Sequence, residues 1–168
     1  MTPERPNEAP ETLFAVAESL REKYPDTPSL VLAVGRFIFE HARQVSSEQR
    51  AQPKSMLESR FTSAQDAFEK GMMSCGSVAS ISAEMLRHLG LEVKLIHGET
   101  DQSVDHAWIS VLNPETGVWE EYDLMQKDGA ITPQHIKKAE AGSWEEIRGQ
   151  IEEDNRTRKE RQKKLGIE

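Results

Sequence analysis

The chain is poor in cysteine, because Cys75 is the only thiol in its 168 residues. An internal disulfide needs two thiols, so the sequence excludes one and shows no dependence on an oxidising compartment. The start of the chain has no basic segment followed by an apolar one, and no apolar run approaches the roughly 18 residues that a membrane span requires. These absences predict a soluble cytoplasmic protein with no membrane partner.

The chain is also short of positive charge. Its formal net charge is −8, which argues against general affinity for nucleic acid, and nothing in the composition favours one oligomeric state over another. Basic residues do cluster near the C-terminus, and we interpret them as a solvated helix rather than a binding arm: Arg156, Arg158, Lys159, Arg161, Lys163 and Lys164.

The length is typical of one domain with a sizeable core. We predict a flexible leader over residues 1–10, a domain over residues 11–131 that begins with two scaffold helices, and a charged helical extension over residues 132–168. The polar segment from Ser46 to Ser59 is predicted to be a loop. A short helix should follow it, with the capping-box spacing of Thr62 and Gln65 at its start and Gly71 at its end.

The next helix is predicted to be the central one. It begins near Cys75, has apolar residues at helical intervals with small residues between them, and stops at Gly90. Alternating stretches follow, as strands require, beginning with residues 91–97. A helix followed by three strands predicts an α+β fold.

The last two alternating stretches are joined by the turn Asn113-Pro114-Glu115-Thr116-Gly117, which predicts an antiparallel hairpin. If residue 112 pairs with 117, His106 lies directly opposite Asp123. If residue 113 pairs with 118, Asp123 faces Trp108 and lies diagonal to His106. Both registers place the histidine and the aspartate on one face, whereas a slip of one residue would separate them.

Cys75 is a candidate nucleophile because of its place at a helix N-terminus. The free N–H groups and the positive end of the helix dipole stabilise a thiolate, and the same amides can hold an oxyanion. A thiol, an imidazole and a carboxylate in the order Cys75, His106 and Asp123 can act as nucleophile, base and orienting group.

The remaining histidines and aspartates receive structural interpretations. His41, His88 and His97 are predicted to be packed or to lie at the ends of elements. Asp105 and Asp128 are close in sequence to the candidate triad, but Asp105 should point to the opposite face of the strand from its neighbour His106.

These motifs resemble the transglutaminase-like superfamily, which shares a papain-like core. The resemblance rests on Cys75 with Ala79 four residues later, on His106-Ala107-Trp108 at a strand start, and on Asp123 in the next strand. It spans about Thr62 to Met125. It implies a central helix with an N-terminal cysteine packed on an antiparallel sheet, with additional helices at both ends of the chain.

The resemblance also implies acyl transfer on amide bonds of peptides or proteins. No cofactor is expected, and the metal dependence of some family members is not carried over, because the sequence shows no evident calcium-binding loop. Cys75 would attack the carbonyl, His106 would take the thiol proton and give it to the leaving amine, and Asp123 would hold the imidazole. Transfer to water would make a peptidase or amidase, and transfer to an amine would make a cross-linking enzyme. Trp108 and Gly76 would line the substrate site.

Two other functions stay open. One is a catalytically silent papain-like module that binds a peptide or protein. The other is a zinc site of Cys75, His97 and His106, whose ligand types are suitable although no short paired spacing supports it. The second oxyanion donor is also open, and the candidates by residue type are Gln44, Gln49 and Gln52.

Overall fold

The structure is a computed structural model that describes residues 9–45 and 56–166. Its elements, in chain order, are α1 (Ala9–Lys23), α2 (Thr27–Gln44), α3 (Met56–Phe61), α4 (Ala64–Glu69), α5 (Cys75–His88), β1 (Val93–Thr100), β2 (Ser103–Asn113), β3 (Val118–Tyr122), β4 (Ile136–Ala141), a 3-10 helix (Glu145–Ile147) and α6 (Arg148–Lys164). The strands form one antiparallel sheet in the order β3-β2-β1-β4.

Helix α5 is the centre of the fold, as predicted. It contacts α1, α2, α3 and α4 on one side and the two middle strands on the other. Small residues allow this close packing, and the hydroxyl of buried Ser82 is satisfied within the helix by donating to the Val78 carbonyl at 2.7 Å. The predicted α+β architecture, with a central helix on an antiparallel sheet, is therefore confirmed.

The two faces of the sheet are covered differently. The apolar face packs on α5 through Val93, Leu95, Ala107, Ile109 and Val111. On the other face long charged side chains cross the sheet, because Lys137 on β4 forms an ion pair with Glu121 on β3, the opposite edge, at 3.2 Å. Both faces are thus covered, one by a helix and the other by side chains of the sheet itself.

The hairpin between β2 and β3 follows the second of the two predicted registers, in which Asn113 pairs with Val118. Gly117 has the positive φ of 71° that the turn requires, and its N–H donates to the Asn113 carbonyl at 2.8 Å. Asp123 follows the last residue of β3 and has the position opposite Trp108. It therefore lies on the same side as His106.

The prediction of helix from Thr132 onward is wrong for residues 136–141. This segment is β4, which pairs antiparallel with β1 at the sheet edge. Its lysine- and glutamate-rich composition is typical of helices, but it equally suits an exposed edge strand, where charged side chains protect the free edge. Among the few apolar residues after Thr132, Trp144 and Ile151 are buried, whereas Ile136 is 50% exposed.

The N-terminal part of the domain corrects two further expectations. Residues 1–8 of the predicted leader lie outside the described residues, and α1 already begins at Ala9. In the predicted loop, residues 46–55 lie outside the described residues, while Met56–Ser59 belong to α3. No helix in the described ranges is long and apolar enough to span a membrane.

The predicted cap of α4 is displaced by one residue. The residue that caps α4 is Ser63 and not Thr62, because the Ser63 hydroxyl accepts a hydrogen bond from the Asp66 N–H at 3.2 Å. The Thr62 hydroxyl instead donates to the Glu58 carbonyl of the preceding turn, and Gln65 contacts Glu69. The end of α4 is as predicted, because Gly71 has a positive φ of 64°.

Gly98 is a position where a side chain cannot fit. A Cβ there would lie 2.3 Å from the Ile136 carbonyl oxygen and 2.6 Å from Cη2 of Trp108. We expect Gly98→Ala to lower the free energy of unfolding by about 1–3 kcal/mol, through overpacking between β1, β4 and the Trp108 ring.

Gly149 supplies the matched control. It lies in α6, a Cβ there would meet no atom within 4 Å, and Gly149→Ala should leave stability unchanged or raise it by up to about 1 kcal/mol. Urea unfolding measures both variants. Equal stability of Gly98→Ala and the unmodified protein would show that the contact is absent.

Candidate active site

Cys75 is the first residue of α5, and Ser74 caps the helix. The Ser74 hydroxyl accepts the Ser77 N–H at 3.1 Å, and the Ser74 carbonyl accepts the Val78 N–H at 2.9 Å. The cap does not use the amides of Cys75 and Gly76. The partly exposed thiol therefore lies beside two N–H groups at the positive end of the dipole.

His106 and Asp123 are joined by a short hydrogen bond of 2.7 Å between Nε2 and Oδ2. The Asp123 side chain has no solvent exposure, and that of His106 is 14% exposed. The chain just after β3 holds the carboxylate in place, because the Met125 N–H donates to Oδ1 at 3.0 Å and the Asp123 N–H donates to the Gly129 carbonyl at 3.1 Å.

His106 also interacts with the Cys75 thiol and lowers its pKa. Because Nε2 of the ring faces Asp123, Nδ1 is the nitrogen left for the sulfur. The structure thus brings together all three residues of the candidate triad, in the order thiol, imidazole, carboxylate. Cys75 comes from the start of α5, His106 from the first half of β2, and Asp123 from the position just after β3.

The charges of the three groups support one another. Burial raises the pKa of the Cys75 thiol, but the His106 hydrogen bond and the Arg60 charge more than offset this and lower it overall. Burial opposes the charged form of His106, yet Asp123 and Cys75 raise its pKa to about 9. Burial likewise opposes ionisation of Asp123, but its histidine partners lower its pKa. The three shifts all move the site toward a thiolate–imidazolium pair.

Arg60 on α3 was missed by the sequence reasoning, and it supplies the other positive charge near the thiol. It is buried and forms a 2.6 Å ion pair with Asp105. Gly76 permits this approach, since a Cβ there would lie 2.6 Å from the Ser59 hydroxyl and 3.2 Å from an Arg60 Nη. Gly76 therefore has a packing role, and its predicted role in substrate binding stays a prediction.

Trp108 on β2 packs beside the triad. Its ring centroid is 5.9 Å from that of His106, and its Nε1–H donates to Glu121 at 2.8 Å. The indole is only 2% exposed. It can support the His106 ring directly, whereas contact with a substrate stays a prediction.

His135 is a second histidine on Asp123, and the sequence analysis did not single it out. Its Nε2 lies 2.8 Å from Asp123 Oδ2, the same oxygen that His106 contacts. The side chain is 3% exposed, and its ring packs edge-on against Trp108 at 5.1 Å. His135 lies in the segment predicted to be helical. The signal that could have placed it at the end of a loop is the turn-forming pair Thr132-Pro133 just before it.

The proposed zinc set of Cys75, His97 and His106 is not assembled. His97 is fully buried in a separate network, with Nε2 2.6 Å from Asp154 on α6 and Nδ1 3.3 Å from Asp105. Asp105 thus points away from Asp123, as predicted. Within the part of the chain that the structure describes, the ligand atoms of His106, Asp123 and His135 lie within 4.8 Å of one another.

The other predictions for single residues have mixed outcomes. His41 stacks on Phe68 and His88 stacks on Phe14, so both are packed as expected. Asp128 bonds the Ala130 amide instead of a histidine. Among the candidate oxyanion donors, Gln44 is exposed at the end of α2, and Gln49 and Gln52 lie outside the described residues.

Comparison with known proteins identifies the family. The family model described as "Transglutaminase-like superfamily" matches residues 15–124, so the chain belongs to that superfamily. No curated protein sequence matches the chain.

Solved structures share the fold at low identity. A candidate cysteine protease from Cytophaga hutchinsonii has 18% identity and a TM-score of 0.59, covering 85% of this chain and 46% of that one. A TGase has 18% identity and a TM-score of 0.53, covering 83% and 36%. Calcium-bound LapG from Legionella pneumophila has 12% identity and a TM-score of 0.55, covering 80% and 77%. The chain spans less than half the length of the first two proteins.

The ion pair predicts how Cys75 alkylation depends on pH. Since His106 and Arg60 favour the thiolate, iodoacetamide labelling should have a midpoint below the usual thiol pKa of about 8.5. Replacing His106→Ala should raise that midpoint. Intact mass reads the reaction cleanly, because Cys75 is the only thiol.

His88→Ala is the matched control for this experiment. His88 is partly exposed and contacts Glu18 at 3.1 Å, outside the candidate site. It should leave the labelling midpoint unchanged. A normal midpoint that is the same with and without His106 would contradict the ion pair.

Proposed function

We propose that the protein catalyses thiol-dependent acyl transfer on amide bonds of peptides or proteins, through Cys75, His106 and Asp123. The observation that supports this proposal most strongly is the arrangement of the three groups. The Cys75 thiol lies at a helix N-terminus and interacts with His106, which is hydrogen-bonded to the buried Asp123 carboxylate. Each partner shifts the next toward the charge state that the reaction needs. Membership of the transglutaminase-like superfamily supports the same reaction class.

The reaction follows from the proton positions. The Cys75 thiolate attacks the amide carbonyl carbon, and the carbonyl oxygen takes up negative charge that the Cys75 and Gly76 amides can stabilise. The His106 imidazolium then gives its proton to the leaving nitrogen, the C–N bond breaks, and a thioester remains on Cys75. Asp123 stabilises the imidazolium when it forms again as water or an amine is deprotonated.

The thiol also suits a reducing environment, where it stays available as a nucleophile. A cytoplasmic location is therefore part of the proposal. Hydrolysis and transfer to an amine share every step up to the thioester, so the same residues serve both outcomes.

A groove next to the triad offers a place for the substrate. It encloses about 700 Å³, within the usual size range of ligand pockets, between the exposed side of α2 and the segment after Asp123. Met73 and Met125, each two residues from a triad member, lie on its wall. An extended peptide in this groove would end near Cys75.

The charge of the groove favours an acidic peptide. Its charged wall residues are Arg36, Arg43 and Lys127 against a single carboxylate, Glu40. In the described residues Arg43 and Lys127 have no carboxylate partner, although the protein as a whole carries a charge of −8. The cations are thus free to pair with a ligand, and we infer a preference for acidic residues beside the reacting amide.

The groove predicts a charge preference in binding. With the Cys75→Ala variant, which cannot turn the ligand over, a labelled acidic peptide should bind more tightly than its Asn/Gln counterpart. Adding Arg43→Glu should weaken binding of the acidic peptide about three- to tenfold, because a negative charge at this position repels the peptide. Fluorescence anisotropy at two salt concentrations measures the effect.

Arg156→Glu is the control for net charge, because Arg156 is exposed on α6 and does not line the groove. It should leave peptide affinity unchanged. Equal affinity for both peptides, or equal effects of the two charge reversals, would rule out recognition in the groove.

A turnover experiment tests the reaction itself. Denatured casein is incubated with the protein in water enriched in ¹⁸O, with a fluorescent primary amine present. Hydrolysis adds ¹⁸O to new carboxyl groups, and transfer adds the amine mass, so mass spectrometry separates the two outcomes. Cys75→Ala should abolish both products, and His106→Ala should lower the rate about 10²- to 10⁴-fold.

The rate should rise with pH as the thiol ionises. It should fall as pH passes about 9, because His106 then loses the proton that the leaving nitrogen needs. Peptide binding without any product, in a protein whose Cys75 labels no faster than glutathione, would instead favour the silent binding module.

A further inference from the structure

The turn before β4 determines which nitrogen of His135 carries the proton. The Thr132 backbone N–H donates to Nδ1 of His135 at 3.0 Å. A backbone amide can only donate, so Nδ1 must present a lone pair. The ring proton is then on Nε2, which faces Asp123 Oδ2 at 2.8 Å. His135 is therefore neutral and donates to the carboxylate.

The same turn makes His135 unsuited to metal binding. A metal at Nε2 would need the lone pair there, and the proton would have to move to Nδ1. A proton on Nδ1 would point at the Thr132 N–H, so two donors would face each other and the hydrogen bond would be lost. The turn resists such a change, because the His135 N–H donates to the Thr132 carbonyl at 3.0 Å and the Gln134 N–H donates to the Thr132 hydroxyl at 3.3 Å.

Among the described residues, the Asp123 carboxylate accepts hydrogen bonds from a backbone amide and two histidines. Its side chain has no solvent exposure, Oδ1 accepts the Met125 N–H, and Oδ2 accepts both histidines. A buried carboxylate depends on each such donor, since the loss of one leaves its negative charge less well compensated. The His135 donor shares an oxygen with His106, so it competes directly for the same negative charge.

We propose that His135 is a positioning residue that fixes Asp123 and weakens the hold of Asp123 on the His106 proton, thereby setting the pH range of the thiolate–imidazolium pair. This inference rests on the proposed function in taking His106 as the acid–base group. The titration of that group can nevertheless be measured without turnover.

The charged and titratable groups near His106 fix the direction of the effect. Cys75 on α5 and Asp123 after β3 favour its positive charge, and Arg60 on α3 acts through the thiol. His135 brings no charge, but the positive end of its N–H dipole points at the oxygen that His106 also contacts. Removing that dipole strengthens the Asp123–His106 bond, so His106 should hold its proton to higher pH.

The test compares two substitutions by NMR of histidine-labelled protein. His135→Phe keeps an aromatic ring against Trp108 but has no donor, and His135→Gln keeps an N–H that can reach Asp123. We expect the phenylalanine variant to raise the His106 titration midpoint by about half to one pH unit, and the glutamine variant to stay within about 0.2 unit of the unmodified protein. A purely structural role would lower the thermal stability of both variants without moving the midpoint.

The unmodified protein gives a direct readout of the tautomer, which remains if His135→Phe does not fold. The ¹⁵N signals of His135 should show one protonated and one unprotonated nitrogen across neutral pH, with the proton on Nε2. A doubly protonated ring, a proton on Nδ1, or an unchanged His106 midpoint in the phenylalanine variant would overturn the proposal.

Zinc titration supplies one more decisive outcome. Stoichiometric zinc binding that is lost in His135→Gln would show that the ring is a ligand, and would also overturn the proposal. Failure of the proposed function is distinguishable from these results. If His135→Phe shifts the His106 midpoint as expected but the unmodified protein turns over no amide, the positioning role of His135 stands and the proposed enzymatic function fails.

Discussion

The site depends on one constraint, the burial of the Asp123 carboxylate. A charge without access to water is tolerable only with a full set of partners, and here two imidazoles and a backbone amide supply them. Those partners fix the ring of His106, and that ring in turn presents its second nitrogen to the thiol. The orientation of the polar groups in the site is therefore determined first at the Asp123 carboxylate, then at the His106 ring and last at the Cys75 sulfur.

The sheet provides the rigidity that this arrangement needs. The glycine turn between β2 and β3 selects a register in which Asp123 comes just beyond the last strand pair, close enough to bond His106 and free to bend into its loop. Trp108, on β2 like His106, packs against the rings of both His106 and His135, and Gly98 leaves room for the indole. Precise placement of the triad thus results from backbone pairing, with side-chain packing as a second support.

The sequence predicted what local signals determine. The start of α5 near Cys75, the hairpin turn, and the α+β order of elements each depend on residues close together in the chain. His135, Arg60 and β4 were missed because their roles arise from contacts across the fold. Alternation could not identify β4, since an edge strand with exposed faces carries the same charged composition as a solvated helix. Histidine spacing likewise gave no indication that two rings meet at one oxygen.

The family match ends at residue 124, but the folded unit does not. β4 completes the edge of the sheet beside β1, and Asp154 of α6 provides a partner for the fully buried His97. A fragment stopping at residue 131 would leave β1 as an open edge and His97 without that partner. The segment that the family pattern does not cover is thus a structural component of the core, and recombination or truncation at the end of the recognised motif would cut through a single cooperative unit.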